Sequence, residues 1–196
     1  MHFPQLSLGL LIGFLICACV PSDGSHHSGP DVLVEKPIES AASLVFDFPV
    51  GAPDAKGYYN AQPFGKNNHL GDDWNGVGGG NSDLGDTVYA AAEGMCTVAV
   101  NFFGGWGKVA RIQHGNAADG PESLYAHLDQ MWITVGQHVH RGQAIGTIGT
   151  GEGIYLAHLH FEMRERGGMP LGGGYSVDRT EYVDPTSFIR AHRPKK

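Results

Sequence analysis

The amino-acid sequence predicts a mainly β fold: one compact antiparallel sheet domain closed by a short C-terminal helix. Three observations carry this expectation. Glycine is abundant, at 30 of 196 residues, roughly twice the ordinary usage of about 7%. Apolar residues fall in short runs, several of them alternating with polar ones, and Gly, Asn and Asp separate most of these runs. Helical character is confined to one stretch near the C-terminus.

Taken in order, the globular pattern begins at Leu44, and Phe46-Asp47-Phe48-Pro49-Val50 is expected as a short first strand. Strands are then expected near 87–92, 95–102, 108–113, 123–128, 143–148 and 157–164. Asp184 to Arg190 is expected to be helical, with Pro185 in the first turn, where a missing N–H costs nothing. Residues 44–196 thus form one domain, long enough for a real core.

The first 43 residues have a different character. Leu8 to Val20 is almost wholly apolar and uncharged. That suits the apolar core of a secretory signal and is too short for a spanning helix of about 20 residues. It ends in Ile16-Cys17-Ala18-Cys19, which resembles a bacterial lipobox with Cys19 as the lipidated residue. Met1 to Gln5 carries no Lys or Arg, a departure from such signals that leaves an ordinary signal peptide or an uncleaved anchor as the alternative. Residues 1–19 are therefore expected to be the signal, and 20–43 a linker. The linker opens Pro-Ser-Asp-Gly-Ser-His-His-Ser-Gly-Pro, so His26 and His27 are read as part of a solvated tether. The expected location is the cell envelope, with a membrane contact through lipid on Cys19.

The formal net charge is -7 and no Lys or Arg run exceeds two residues. Nucleic acid is a poor partner for such a chain. Of the three cysteines, Cys17 leaves with the signal and Cys19 carries lipid. Cys96 then stands alone in a strand-like run and is read as a small buried hydrophobe rather than a nucleophile.

Ala157-His158-Leu159-His160-Phe161-Glu162-Met163-Arg164 alternates strictly. On a strand, Leu159, Phe161 and Met163 would face a core, while His158, His160, Glu162 and Arg164 share the other face. His69 and Asp73 lie four apart with Gly71 between them. An extended segment would put both on one side, with Asp72 pointing away, outward. A His, a carboxylate and one distant His make three zinc ligands, leaving the fourth tetrahedral position for water, as a catalytic site needs. The chain has no His-Glu-x-x-His helix. In Ser123-Leu124-Tyr125-Ala126-His127-Leu128 the alternation groups Ser123, Tyr125 and His127 on the polar face.

His69-x-Gly71-x-Asp73, Tyr125-x-His127-Leu128 and His158-Leu159-His160-Phe161-Glu162 resemble, in order, the motifs of the lysostaphin-type (LytM-like) zinc metallopeptidases. The turn-rich Val135-Gly136-Gln137 to Ile145-Gly146 connection matches that family too. The resemblance covers about residues 45–190. It implies a sheet with a substrate groove, Zn2+ held by His69, Asp73 and His160, catalytic roles for His127 and His158, and peptidoglycan peptides as substrate. Glu162 is left between a bond near the site and a surface salt bridge, and Tyr125 between the edge of the core and an oxyanion donor. His138 and His140 fall in the turn-rich connection and are read as exposed; His114 is read as making a structural hydrogen bond.

Two other function classes remain in view. Some relatives have lost ligands and only bind the wall or activate another hydrolase; all five positions are intact here, which argues for an enzyme. A biotinyl- or lipoyl-type carrier needs an exposed Lys at a hairpin tip, and the corresponding stretch has none.

Overall fold

A computed structural model describes residues 44–115 and 120–194. The expectations for Cys17, Cys19, His26, His27 and the linker lie outside these residues. The described part is a sheet of ten strands, every recorded pair antiparallel. In chain order these are β1 (Tyr58–Gln62), β2 (Asp72–Gly76), β3 (Thr87–Tyr89), β4 (Gly94–Asn101), β5 (Lys108–His114), β6 (Glu122–Met131), β7 (His138–Val139), β8 (Ala144–Ile148), β9 (Leu159–Arg164) and β10 (Tyr182–Val183). One helix, α1 (Pro185–Ala191), follows; the Asp184 side chain caps it by accepting from Ser187 N–H, and Pro185 stands in its first turn. The fold class is as the sequence predicts. Phe46, Phe48 and Val50 pack into the core without joining the sheet. Among the described residues no helix is long and apolar enough to cross a membrane.

The strand order β1-β2-β9-β6-β5-β4-β7 places β9 and β6 in the middle. Leu159, Phe161 and Met163 point into the main core, as their alternation predicts, against Tyr125, Ile148 and Ile189. The opposite face is not a solvated surface. Val109, Leu124 and Ala126 are buried there with Trp106 and Leu171 against them, and His160, Glu162 and Arg164 are buried as well. Two loops close over this face: Trp106 Nε1–H donates to the Gly172 carbonyl, and Arg164 donates to the Pro170 and Leu171 carbonyls.

Cys96 is buried and its thiol donates to the Val98 carbonyl at 3.3 Å. Burial pushes its pKa up to about 11, which makes it a poor nucleophile. His114 is fully buried, with Nδ1–H donating to the Glu93 carbonyl at 2.9 Å and Nε2 2.8 Å from Ser123 Oγ.

Candidate metal centre

The β2–β9 pairing builds the centre. Asp73 stands directly opposite His160, so both side chains rise from the same face. His69 joins them from the turn before β2, where its backbone bridges to Tyr175. Gly71 is what lets this turn approach β9: a Cβ there would lie 2.5 Å from the Phe161 carbonyl oxygen and 3.1 Å from His160 Cε1.

The three ligand-type atoms converge. His69 Nε2 is 3.0 Å from His160 Nδ1, and Asp73 Oδ1 is 3.3 Å from the first and 2.9 Å from the second. Each ring is tied at its other nitrogen. His69 Nδ1–H donates to the Gln62 carbonyl, and His160 Nε2–H donates to Glu162 Oε1, both at 3.1 Å. A carbonyl and a carboxylate can only accept, so in a neutral ring the proton stays there and the inner nitrogen presents a lone pair. Three acceptor atoms aimed at one point require a cation, or a proton on His160 Nδ1, between them. Four ligands about 2.0–2.1 Å from a tetrahedral zinc stand roughly 3.3 Å apart, so donor set and spacing fit that ion.

The electrostatics favour positive charge here. Burial opposes charge on His160, but Asp73 and Glu162 outweigh it and raise its pKa to about 9. Burial likewise opposes the Asp73 carboxylate, yet His160 and His69 hold it well below the usual carboxylate range.

His127 and His158 lie beside the triad, their ring centroids 4.7 Å apart, with His127 5.6 Å from His160. His127 reaches this place by a route that alternation does not reveal. Tyr125 pairs with Phe161 and points into the core, where its hydroxyl oxygen accepts from Ala91 N–H. The expected grouping of Tyr125 with His127 is therefore wrong, and Tyr125 is no oxyanion donor. Between Ala110↔Tyr125 and Lys108↔Leu128 the register slips by one residue, and His127 takes a left-handed φ of 61°. That bulge turns its ring to the face of His160. His127 Nδ1–H donates to the Trp106 carbonyl at 3.3 Å and His158 Nδ1–H to the Leu156 carbonyl at 2.8 Å, which leaves both Nε2 atoms free. His158 Nε2 is 3.9 Å from Asp73 Oδ1. Burial, with His160 and His158 close by, lowers the His127 pKa to about 3, so its ring is neutral at ordinary pH.

Asp72 differs from expectation, and Glu162 takes the first of its two readings, a bond near the site. Asp72 does not face outward: it is 1% exposed and sits opposite Phe161 on the core side. It accepts from Phe64 N–H, Thr186 N–H and Thr186 Oγ–H, tying β2 to α1. Glu162 is no surface salt bridge; it is fully buried and bonded to His160 and Arg164. Of the aromatic rim, the sequence points to Tyr175, in the Gly172-Gly173-Gly174-Tyr175 loop that could wall a groove, and not to Trp106 or Tyr155. Trp106, Tyr155 and Tyr175 come within 5.1–5.4 Å of His160, His127 and His69 respectively. Glycines flank Trp106 and precede Tyr175, whereas Tyr155 stands between Ile154 and Leu156. His140 is exposed and His138 half-buried, away from the centre.

The chain is similar to several known proteins. Lipoprotein NlpD of Yersinia enterocolitica is 36% identical over 83 residues, covering 42% of this chain and 81% of that protein. Murein hydrolase activator NlpD of Escherichia coli is 37% identical over 83 residues, covering 42% of this chain but 21% of that protein. The chain spans well under two thirds of several curated relatives, 13% in one case and 36% in another. Among solved structures, a peptidase M23 from Pseudomonas aeruginosa superposes with a TM-score of 0.54 at 25% identity, covering 78% of this chain and 53% of that one. The profile of peptidase family M23 matches residues 73–176, just over half of the chain and a span that holds Asp73, His127, His158 and His160. The chain belongs to peptidase family M23.

Proposed function

We propose that this protein is a zinc-dependent endopeptidase that hydrolyses peptide bonds in peptidoglycan stem peptides or cross-links. His69, Asp73 and His160 would be the zinc ligands, and His127 and His158 the catalytic histidines. The observation that carries the reading is the convergence of the His69, Asp73 and His160 ligand atoms within 2.9–3.3 Å of one another, with two further histidines alongside. When bound, zinc brings the pKa of a water near 7 and polarises the scissile carbonyl. Neutral His127 accepts the proton of the attacking water at Nε2. His127 would then return that proton to the departing amine, while His158 Nε2, free to accept, would hydrogen-bond and orient the attacking water. The carbonyls of Trp106 and Leu156 keep both rings in the orientation these roles need.

The proposed chain organisation is a signal of residues 1–19 lipidated at Cys19, a linker of 20–43 and the peptidase domain of 44–196. The name of the Yersinia relative supports the lipid. Residues 20–40 would reach at most roughly 70 Å at about 3.3–3.6 Å per residue, enough to search nearby wall from a membrane anchor. Cys19→Ser should move the protein out of the membrane fraction; an unmodified Cys19 in mature protein would contradict the anchor.

The name of the Escherichia coli relative favours a second reading, in which this chain activates another murein hydrolase. Mass spectrometry of the products from purified peptidoglycan separates the two. The enzyme reading expects new amino termini within peptides from this protein alone. The activator reading expects products only when a second hydrolase is added.

A further inference from the structure

We propose that Glu162 is a positioning residue that fixes which nitrogen of His160 faces the metal, and that Arg164 locks Glu162 into that task. The proposal rests on the zinc reading above and goes beyond it.

Behind the centre runs a line of charges through the protein interior: His160, Glu162, Arg164, Glu122 and Arg111, all buried. Each carboxylate oxygen of Glu162 has a separate partner. Arg164 Nε and Nη2 both donate to Oε2, at 3.0 and 2.7 Å, while Oε1 accepts from His160 Nε2–H at 3.1 Å. Arg164 is itself fixed, with Nη1 donating to the Pro170 carbonyl at 3.1 Å and Nη2 to the Leu171 carbonyl at 2.9 Å. Glu122 Oε1 stands 3.8 Å from Arg164 Nη1 and accepts from Arg111 Nε at 2.6 Å. Glu162 therefore cannot swing into the metal position, and the one oxygen it offers His160 can only accept.

Burying such ions is not a route to stability by itself, because apolar side chains of the same volume do as well or better. An apolar side chain cannot accept from His160 Nε2. With the acceptor in place the ring proton is held at Nε2 and Nδ1 presents its lone pair beside Asp73 Oδ1 and His69 Nε2.

Glu162→Gln exposes the mechanism. The amide has one oxygen and one NH2 group. The two-donor fork of Arg164 takes the oxygen, so the NH2 group turns to His160 Nε2 and forces it to accept. The ring proton then sits on Nδ1, in the metal's place. Zinc affinity should fall by about 10–100-fold, the usual loss when such a partner is disrupted. In the double variant Glu162→Gln with Arg164→Met the fork is gone. The amide oxygen can turn back to His160, and affinity should recover to within a few-fold of wild type even if the fold is less stable. A merely structural role predicts the opposite order, with the double variant worse.

The measurement is a competitive zinc titration on the full domain, with urea unfolding of the metal-free forms alongside. If Glu162→Gln does not fold, two double variants decide, because neither buries an unpaired charge. Glu162→Leu with Arg164→Met lacks the acceptor and should bind zinc about 10–100-fold more weakly than Glu162→Gln with Arg164→Met. Equal affinities in that pair, or a folded Glu162→Gln within threefold of wild type, overturn the proposal while leaving the zinc reading intact. A wild-type domain that binds no zinc overturns both.

Discussion

Asp73 and Asp72, adjacent in sequence, leave opposite faces of β2: Asp73 meets His160 at 2.9 Å, while Asp72 is sealed against Thr186 and Phe64 on the other side. The two carboxylates should therefore fail differently. Asp73→Asn removes the charged ligand, and zinc affinity should collapse in a competitive titration while the metal-free domain stays folded. Asp72→Ala should leave the metal centre's donor set intact. It should cost roughly 3 kcal/mol or more in urea unfolding, since hydrogen bonds to a charged group contribute about 1.5–3 kcal/mol each. If Asp72→Ala abolishes zinc binding at unchanged stability, the assignment of the two faces is wrong.

His127 and His158 should be separable from the ligands. His127 occupies a left-handed backbone conformation, where Ala is strained and Asn is tolerated, so His127→Asn is the informative variant. It and His158→Ala should each keep zinc yet lose about 100-fold or more in hydrolysis. Wild-type turnover in either removes that residue from the catalytic set.

Gly71→Ala would place a methyl group 2.5 Å from a backbone oxygen of β9. Overpacking of this kind costs about 1–3 kcal/mol, and here the strain falls on the strand that carries His160. Both stability and zinc affinity should drop. Gly79→Ala, with open space around it, should leave zinc affinity unchanged. Equal zinc affinity for the two variants would mean that close approach at Gly71 does not shape the site.

His114 makes stability depend on pH. Burial, opposed only by its bond to the Glu93 carbonyl, lowers its pKa to about 4, against about 6.5 unfolded. Its contribution is fully present above pH 6.5, because both states are then neutral. As pH falls through 6.5 the unfolded chain takes up a proton that the folded one refuses. Stability should fall by roughly 3 kcal/mol by pH 4. Urea unfolding of metal-free protein between pH 7 and 4 should show a steeper loss in wild type than in His114→Asn. Parallel curves would contradict the assignment.

The legible parts of this protein were those with a local period. Leu159, Phe161 and Met163 could be assigned to the core because strand alternation is a property of the chain itself, and the same parity set Asp73 and Asp72 on opposite faces. β1 and β2 lack that pattern: Tyr-Tyr-Asn-Ala-Gln and Asp-Asp-Trp-Asn-Gly carry too many polar residues to read as strands. Parity also failed where geometry was added later. The bulge at His127 shifts one residue between faces, and no residue type announces it. The burial of Asp72 depends on α1, more than a hundred residues away, and that of Glu162 and Arg164 on the loop around Leu171. A partner as distant as α1 leaves no mark on the local sequence, and the nearby Leu171 loop has no period to show that it folds back over β9.

The central claim is tested most directly by stripping the domain of metal with a chelator, adding zinc back in measured fractions, and following peptide-bond hydrolysis in purified peptidoglycan. Activity should be absent in the stripped protein and rise in proportion to zinc up to one equivalent per chain, then level off. Full activity without metal, or no hydrolysis at one bound equivalent, would contradict it.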